Sequence, residues 1–370
     1  MKSLSKQTYP QKPIIVVVGP TASGKSDLAV FLAKKFNGEV ISADSRQVYK
    51  GMNIGTGKIT QKEMSGIPHY LLDVASPSRR FTAGQYKKLG QAAIKKIQRK
   101  NKIPIICGGT GFYIRMLIDD LQVPAVKPDL KLRAKLEKKT TEELFAELKK
   151  LDPRRAKEID RHNPRRLVRA LEIIYTTGKP VPPLNPPQPS LKGGSQISSP
   201  PLGGVRGDFN PLFFGISIPR PKLAKRIKIR LEKRLKQGML AEVKKLRKQG
   251  VSWKRLDSFG LEYRWLAKYL QKKIEPRAQA QNFSHGKIIL HGLRAGRNPA
   301  PKANSHSSKN KWPSGAGPAY QEMIARLQKD IEHYAKRQMT WFKRDSRIHW
   351  IKNSAQAEKI TVDFLKKSAP

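Results

Sequence analysis

Residues 14–36 read IIVVVGPTASGKSDLAVFLAKKF, and this stretch decides the fold. Its first five residues form a short β-branched apolar run, which is typical of a strand buried on both faces of a parallel sheet. Residues 19–26, GPTASGKS, carry the complete pattern of a phosphate-binding loop. Apolar residues at helical spacing follow in 27–36, so strand, loop and helix occur in the order that the pattern requires. The stretch therefore predicts a site for a di- or triphosphate.

The residue types in this loop suit the binding of an anion. Consecutive backbone amides wrap a phosphate, Lys25 neutralises it, and the Ser26 hydroxyl is suited to ligating Mg²⁺. The predicted diphosphate- or nucleotide-binding residues are Gly19, Pro20, Thr21, Ala22, Ser23, Gly24, Lys25 and Ser26. The loop alone does not identify the reaction, because most such loops serve kinases and NTPases.

The rest of the chain continues the alternation of strands and helices. Strands are predicted at 39–43, 69–74, 103–107, 212–218 and 349–351. Helical segments are predicted at 82–100, 128–150, 153–177 and 319–343, with Pro153 and Pro164 near helix starts, and two basic helices within 221–249 meet near Gly238. Strands that alternate with helices indicate a parallel sheet with right-handed crossovers. The predicted fold class is α/β, with a P-loop NTPase-like parallel sheet core and a mostly helical accessory domain.

Two stretches interrupt this pattern. Residues 181–208 are rich in proline, and residues 276–318 contain no acidic residue. Neither contains enough apolar surface to offset the entropy of ordering, so both are interpreted as flexible insertions. The second is also basic, and an RNA-binding arm is the alternative to an inert insertion.

The predicted divisions are a flexible leader 1–12, a first part of the core 13–124, a helical accessory segment 125–160, a core helix and strand 161–220 around the first insertion, a basic helical accessory region 221–275, the second insertion, a C-terminal core helix and strand 319–352, and a tail 353–370.

The net charge points to a polyanionic partner. The 370 residues include 75 Lys and Arg against 28 Asp and Glu, a formal charge of +47. Binding of cationic side chains to phosphates releases condensed counterions, which favours nucleic acid whatever its sequence. A general solubility bias is the alternative, and charge does not distinguish RNA from DNA.

The sequence contains no run of 18 apolar residues, so no membrane span is predicted. The single cysteine, Cys107, excludes an internal disulfide, and a cytoplasmic location is expected.

Two polar residues follow predicted strands at the edge where open α/β sheets bind ligands. Asp44 comes just after strand 39–43, where a carboxylate can ligate Mg²⁺ or accept a proton, although a helix cap is the alternative. Thr110 lies in GGTGFY, 108–113, where glycines allow close approach of a ligand, although a capping threonine in a Gly-rich turn is the alternative.

Two basic segments are candidates for contact with RNA. In 161–173, RHNPRRLVRALEI, helical spacing brings Arg165, Arg166 and Arg169 into one guanidinium patch, unless the segment is an ordinary solvated face. In 333–350, basic residues interleave with aromatic ones, which either stack on RNA bases or belong to the core.

Taken together, the motifs closely resemble the tRNA dimethylallyltransferase family, also called tRNA isopentenyltransferase, in its bacterial form. The matching stretches are GPTASGKS, ADSRQVYKGMNIGTGK, PHYLLD, GGTGFYIR, DPRRAKEI, NPRRLVRALEI, TGKP, RIKIRLEKRLKQGMLAEVKKL, GLEYR and YAKRQMTWFKRD. They cover nearly the whole chain except the leader and the two insertions, and as a set they are far more specific than the loop alone.

The resemblance implies a transfer reaction rather than phosphoryl transfer. A dimethylallyl group would pass from dimethylallyl diphosphate to the exocyclic amine of the adenine on the 3′ side of the tRNA anticodon, with Mg²⁺ as cofactor and Asp44 as base. The partners would be dimethylallyl diphosphate and the tRNA anticodon stem-loop, and we expect a monomer. Thr110 would lie near the diphosphate or the adenine, Arg220 would be a weaker candidate at the diphosphate, and His69 would support the site. The implied tRNA-binding residues are Asp44, Ser45, Arg46, Gln47, Thr110, Arg133, Arg165, Arg166, Leu167, Val168 and Arg169.

The chain departs from the family pattern in one loop. Residues 55–60 read GTGKIT, in which Lys58 is kept but the proline that usually follows it is absent, so a looser loop is expected. Two other functions stay open on the sequence alone. One is a P-loop kinase that uses ATP to phosphorylate a small metabolite, and the other is an RNA-binding module whose loop is a vestige.

Overall fold

A six-stranded parallel sheet forms the centre of the molecule. The structure, a computed structural model, describes residues 12–121, 124, 126–182, 209–276 and 317–368. The strand order is β3-β2-β4-β1-β5-β6, and every neighbouring pair is parallel. The strands are β1 (Lys12–Val18), β2 (Gly38–Ser42), β3 (His69–Tyr70), β4 (Ile103–Gly108), β5 (Phe209–Ile216) and β6 (Ile348–Ile351). Residues 1–11 of the predicted leader and most of the two predicted insertions lie outside the described residues, whereas Lys12, predicted as the end of the leader, begins β1.

Fourteen helices accompany these strands in the described ranges. Those of the first half are α1 (Lys25–Lys35), α2 (Gln61–Met64), α3 (Ala83–Arg99), α4 (Gly111–Ile118), α5 (Leu130–Leu136), α6 (Thr141–Leu151), α7 (Pro153–Glu158) and α8 (Pro164–Thr177). Those of the second half are α9 (Arg220–Lys236), α10 (Met239–Lys248), α11 (Trp253–Phe259), α12 (Leu261–Leu270), α13 (Pro318–Phe342) and α14 (Ser354–Ser368). The α/β class predicted from the sequence is confirmed.

Helices cover both faces of the sheet. On one face α1 and α14 pack against strand residues such as Ile15 and Val17, with Leu32 and Leu365 buried between them. On the other face lie α3, α4 and the helices from α9 to α13, in one continuous apolar cluster with the sheet. The segment 353–370, predicted as a C-terminal tail, contains α14, which buries Ala357, Thr361 and Leu365 at a spacing of four residues.

The helices α5 to α8 form an accessory unit with a core of their own. Leu144 and Leu148 of α6 pack with Leu167 and Leu171 of α8 in this separate cluster. The sequence grouped α8 with the sheet core and set 221–275 apart as an accessory region. The structure reverses both groupings, because the apolar stripe of α8 faces α6, whereas Ile227, like the rest of the stripe of α9, belongs to the cluster on the sheet.

Local chain geometry corrects one strand and confirms two helix starts. The strand predicted at 69–74 ends at Tyr70, because Leu71 and Asp73 have φ values of 66° and 55°, which a strand does not allow. Pro153 and Pro164 begin α7 and α8, as expected for proline in a first helical turn. Among the described helices, none is long and apolar enough to cross a membrane.

Candidate functional site

The phosphate-binding loop occupies the turn between β1 and α1. Ala22 and Gly24 adopt left-handed φ values of 61° and 91°, a backbone form that allows successive amides to face one anion. α1 then begins at Lys25, and its first amides have no partner within the helix and carry the positive end of the helix dipole. The loop therefore has the backbone form that the sequence predicts for anion binding.

Lys25 supplies the cation of this loop. Its Nζ donates a hydrogen bond to the carbonyl oxygen of Pro20 at 3.3 Å. Removal from water lowers the pKa of the Lys25 ammonium, and the like charge of Arg230 lowers that pKa further. An anion beside Lys25 would raise this pKa by charge attraction, so the ammonium favours an anionic ligand.

Asp44 and Thr110 meet at the carboxyl edge of β2 and β4. Oδ1 of Asp44 accepts hydrogen bonds from the amides of Arg46, at 2.8 Å, and Gln47, at 3.4 Å. The Ser45 amide donates to Oγ1 of Thr110 at 3.1 Å. Thr110 precedes α4 but makes no capping bond with its side chain, so its hydroxyl links the two strand ends instead. The two residues that the sequence singled out separately are thus joined through Ser45.

Three arginines of α9, spaced four residues apart, reach the same place. Arg226 donates to the Ser23 carbonyl at 3.4 Å, Arg230 to Thr21 Oγ1 at 3.5 Å, and Arg234 to Oε1 of Glu262 at 3.1 Å. We call Arg226, Arg230 and Arg234 the pocket arginines. Burial, followed by the nearby charge of Arg234, lowers the pKa of the Arg230 guanidinium to about 10, which leaves it protonated at neutral pH.

Gln338 of α13 connects the loop to the opposite strand end. Its Oε1 accepts a hydrogen bond from the Thr21 amide at 2.9 Å, and its Nε2 donates to the Gly109 carbonyl at 2.9 Å. The residue is buried. It therefore ties the phosphate-binding loop to the turn that carries Thr110.

These elements enclose a cavity of about 750 Å³. The predicted residues that line it are Thr21, Ala22, Ser23, Gly24, Lys25, Ser26, Asp44, Ser45, Arg46 and Gln47. Residues that the sequence reasoning did not select also line it, namely the pocket arginines, Glu262, Tyr334, Arg337 and Gln338. The four-residue spacing of arginines beside the buried stripe Leu223, Ile227 and Leu231 was a usable signal for the pocket arginines.

Other predicted residues lie outside this cavity. Gly19 and Pro20 form the start of the loop beneath it, and Arg220 is exposed at the first position of α9. His69 lies on the edge strand β3, where its Nδ1 is 2.8 Å from the Ile67 carbonyl oxygen, and lines a second cavity. Removal from water lowers the pKa of His69. The structure thus separates Arg220 and His69 from the residues around the phosphate-binding loop.

The predicted RNA contacts of the accessory unit have two different surroundings. Arg165 and Arg166 are exposed, whereas Leu167 and Val168 are buried in the core of the unit and do not present side chains to a partner. The sequence grouped all four as tRNA contacts. The structure separates them, because helical periodicity directs 167 and 168 toward α6.

Arg133 and Arg169 are engaged within the protein. Arg133 donates to both carboxylate oxygens of Glu172, at 2.8 and 2.7 Å, and Arg169 donates to Oε2 at 2.5 Å. Glu172 is fully buried. Burial opposes its ionisation, but the hydrogen bonds from Arg133 and Arg169 outweigh burial and hold the pKa of Glu172 below its ordinary value. These two arginines therefore stabilise the unit.

The aromatic residues near the C-terminus belong mainly to the core. Phe342 is fully buried, and Trp341 packs edge-on against it with ring centroids 5.2 Å apart. Trp350 is half-buried against the same cluster. Of the two interpretations that the sequence left open, the core interpretation is correct for Phe342.

The fold and the cavity define an α/β protein in which the turn with the sequence pattern of a phosphate-binding loop lines a cavity rich in cationic side chains. A family model described as IPP transferase matches residues 47–287 and 298–345. The chain therefore belongs to the IPP transferase family, as the sequence motifs predicted.

Individual relatives agree with this assignment. A tRNA dimethylallyltransferase of Pelotomaculum thermopropionicum is 33% identical over 362 residues, which is 96% of each chain. One of Carboxydothermus hydrogenoformans is 35% identical over 357 residues, covering 95% of this chain and 96% of the relative. The solved tRNA isopentenylpyrophosphate transferase of Bacillus halodurans superposes with a TM-score of 0.59 at 28% identity, covering 97% of this chain and 96% of that one.

Proposed function

We propose that this chain transfers a dimethylallyl group from dimethylallyl diphosphate to the exocyclic amine of the adenine on the 3′ side of a tRNA anticodon. The carbon–oxygen bond to the diphosphate breaks, and its electron pair leaves with the diphosphate. A carbon–nitrogen bond to the adenine amine forms, and the amine loses one proton. The products are prenylated tRNA and diphosphate, and the kinase alternative is not favoured by the family.

One observation carries the proposal, namely the cluster of cations around the phosphate-binding loop. Lys25 and the pocket arginines line one cavity with the amino end of α1. Preorganised cations and amides stabilise the charge that develops on a leaving diphosphate more than they stabilise the bound substrate. The loop thus serves as the binding site of a leaving group.

Asp44 would accept the proton of the adenine amine. Two amide hydrogen bonds fix its Oδ1, which leaves Oδ2 as the proton acceptor. Thr110 supports this role by accepting a hydrogen bond from the Ser45 amide, which holds the loop that carries Asp44. The adenine must leave its stack to reach this point.

Mg²⁺ fits the residues of the cavity. Ser26 and Asp44 line it together, and a magnesium ion bound to phosphates commonly takes only one or two protein oxygens. Ser26 would hold the ion, which when bound neutralises diphosphate oxygens, and Oδ2 of Asp44 would remain the proton acceptor.

tRNA is the proposed macromolecular partner. The formal charge of +47 favours a polyanion, and the exposed Arg165 and Arg166 present cations on the accessory unit. A cytoplasmic monomer is part of the same proposal.

The decisive test uses labelled dimethylallyl diphosphate with two anticodon stem-loops that differ at one base. We expect label on the RNA that carries adenine 3′ to the anticodon and none on the matched RNA with guanine there, because guanine has an oxygen where adenine has its 6-amino group. Equal labelling of both RNAs, or consumption of ATP without RNA, would overturn the proposal. Tight binding of RNA with a steep salt dependence and no transfer would instead identify a binding module.

Asp44→Ala tests the assignment of the base. Turnover should fall by about 10³-fold, since general base catalysis contributes that order. Affinity for tRNA, measured by filter binding, should stay within a few-fold of wild type. Survival of turnover in this variant would show that another group accepts the proton.

A further inference from the structure

The loop of residues 53–57 forms one wall of the cavity and holds two of the pocket arginines. The Gly55 carbonyl accepts a hydrogen bond from Arg234 at 3.4 Å, and the Gly57 carbonyl accepts one from Arg230 at 3.3 Å. Carbonyl oxygens orient a guanidinium without cancelling its charge. The position of this loop therefore fixes where the two guanidinium groups point.

A single carboxylate outside the cavity holds the loop. Glu242 of α10 accepts hydrogen bonds from the backbone amides of Asn53, at 2.8 Å, Ile54, at 2.7 Å, and Gly55, at 3.0 Å. The Tyr263 hydroxyl donates to its Oε1 at 2.7 Å. Hydrogen bonds to an ionised acceptor are about twice as strong as neutral ones, so four of them make a firm anchor.

The loop of residues 53–57 packs closely against Arg230 and Arg234. A Cβ at Gly57, whose φ is 57°, would lie 1.5 Å from a guanidinium nitrogen of Arg234 and 2.3 Å from one of Arg230. A Cβ at Gly55 would lie 2.7 Å from the ring of Tyr263. A shift of the loop by even part of an ångström must therefore move the arginines or separate them from their carbonyl acceptors.

Lys58 secures the other end of the loop. Its Nζ donates to Asp73 at 2.6 Å and to the Tyr49 carbonyl at 2.9 Å, and its side chain is only 5% exposed. The loop expected to be loose without a proline after Lys58 is thus held at one end by this ammonium and at the other by Glu242.

We propose that Glu242 is a positioning residue of the diphosphate site. Its carboxylate holds residues 53–55, and through them the carbonyls of Gly55 and Gly57 orient Arg234 and Arg230 toward the anion. The identity of the ligand as a diphosphate rests on the proposed function, whereas the link from Glu242 to the arginines rests on the contacts alone.

Glu242→Gln is the variant that tests this link. It keeps the shape of the side chain but replaces one carboxylate oxygen by an NH2 group. This group cannot accept a hydrogen bond from the backbone N–H that it would face. Inorganic diphosphate is the probe, and its affinity is measured by titration calorimetry without RNA. We expect about tenfold to 100-fold weaker binding, the usual effect of losing a residue that supports a binding group. The affinity for tRNA should be unchanged.

Glu358→Gln is the matched control. Glu358 lies on α14, where it pairs with Lys35 at 3.0 Å on the opposite face of the sheet. The substitution removes the same charge and should leave diphosphate affinity at the wild-type value. Equal losses in the two variants would mean that net charge, and not the position of the loop, is responsible.

Tyr263→Phe keeps the test decisive if Glu242→Gln does not fold. It removes one of the four hydrogen bonds to Glu242 and leaves the carboxylate in place, so a smaller loss of diphosphate affinity is expected, with tRNA binding unchanged. Wild-type affinity for diphosphate in every folded variant overturns the proposal. Failure of the wild type to label RNA overturns the proposed function instead, and leaves a diphosphate effect of Glu242→Gln intact.

Discussion

Two sets of arginines on two helical regions of this molecule carry similar sequence signals but have opposite surroundings. The pocket arginines of α9 donate mainly to carbonyl and hydroxyl oxygens, and only Arg234 has a carboxylate partner among the described contacts, Glu262. We call Arg133, Arg165, Arg166 and Arg169 the accessory arginines. Two of these bind the buried carboxylate of Glu172, and the other two are exposed.

This difference shows that the partners of a cation, and not its spacing along a helix, decide what the cation does. Neutral acceptors hold Arg226 and Arg230 in place and leave their charge available for an anion, whereas Arg234 also pairs with Glu262. Glu172 instead uses the charge of Arg133 and Arg169 to stabilise the accessory unit. The pocket is therefore suited to a buried diphosphate, and the accessory unit to a solvated RNA backbone at Arg165 and Arg166.

The largest expected effect follows from replacing a pocket arginine. Arg230→Met should lower kcat/KM for dimethylallyl diphosphate by about 10³-fold, because it removes a preorganised cation from the leaving group. The measurement is single-turnover transfer to unmodified tRNA. Lys225→Met, at an exposed position of the same helix, is the control and should stay near wild type. A comparable loss in both variants would remove the distinction between pocket and surface cations.

Glu172→Gln should reduce stability rather than chemistry. The variant leaves Arg133 and Arg169 with an incomplete partner, which costs about 3 kcal/mol in the free energy of unfolding of the accessory unit. Since the folded pKa of Glu172 lies below its ordinary value of 4.5, its stabilisation is complete above that pH and is lost as the pH falls through the lower folded value.

Chemical denaturation at pH 7 and at pH 4 measures this effect. The difference between wild type and Glu172→Gln should shrink at the lower pH. If the variant loses tRNA affinity while its stability stays at the wild-type level, Arg133 and Arg169 are RNA contacts after all.

Arg165→Ala combined with Arg166→Ala should weaken tRNA binding about tenfold and reduce the slope of log affinity against log salt by roughly 1.5. Affinity for inorganic diphosphate should not change, because both residues belong to a unit whose core is separate from that of the sheet. Filter binding across a salt series measures the slope. An unchanged slope would mean that RNA does not touch this face.

The parts of the site that the sequence predicts are those set by local chain order. The phosphate-binding loop follows a buried strand, and Asp44 and Thr110 follow two more, so parallel pairing brings all three to one sheet edge. Gln338 could not be predicted, because its partners at Thr21 and Gly109 lie 317 and 229 residues away in the chain. Only tertiary packing of α13 brings them together.

The accessory arginines show the opposite failure. Helical spacing predicts that Arg165, Arg166 and Arg169 form one patch on α8, but spacing alone does not take account of Glu172, a charged residue within the apolar stripe of the same helix that pairs with Arg169. Buried carboxylates are rare without a cationic partner. An acid at a core-facing position was thus the available signal that some of these arginines are paired internally.

The smallest expected effect concerns the pH dependence of diphosphate binding. The folded pKa of Lys25 lies below its ordinary value of 10.5, so its positive charge declines at a lower pH than that of an exposed lysine, as pH rises through the lowered value. Affinity for inorganic diphosphate should therefore fall a few-fold between neutral and alkaline pH. In Lys25→Arg the pH profile of diphosphate affinity should flatten, because a guanidinium retains its proton over that range.

Titration calorimetry at several pH values measures this profile. The same series for Lys35→Arg, at the far end of α1, separates the effect of Lys25 from general effects of pH. A decline that persists in Lys25→Arg would assign the titration to another group in the cavity, and the lysine of the loop would then contribute less to diphosphate binding than the pocket arginines.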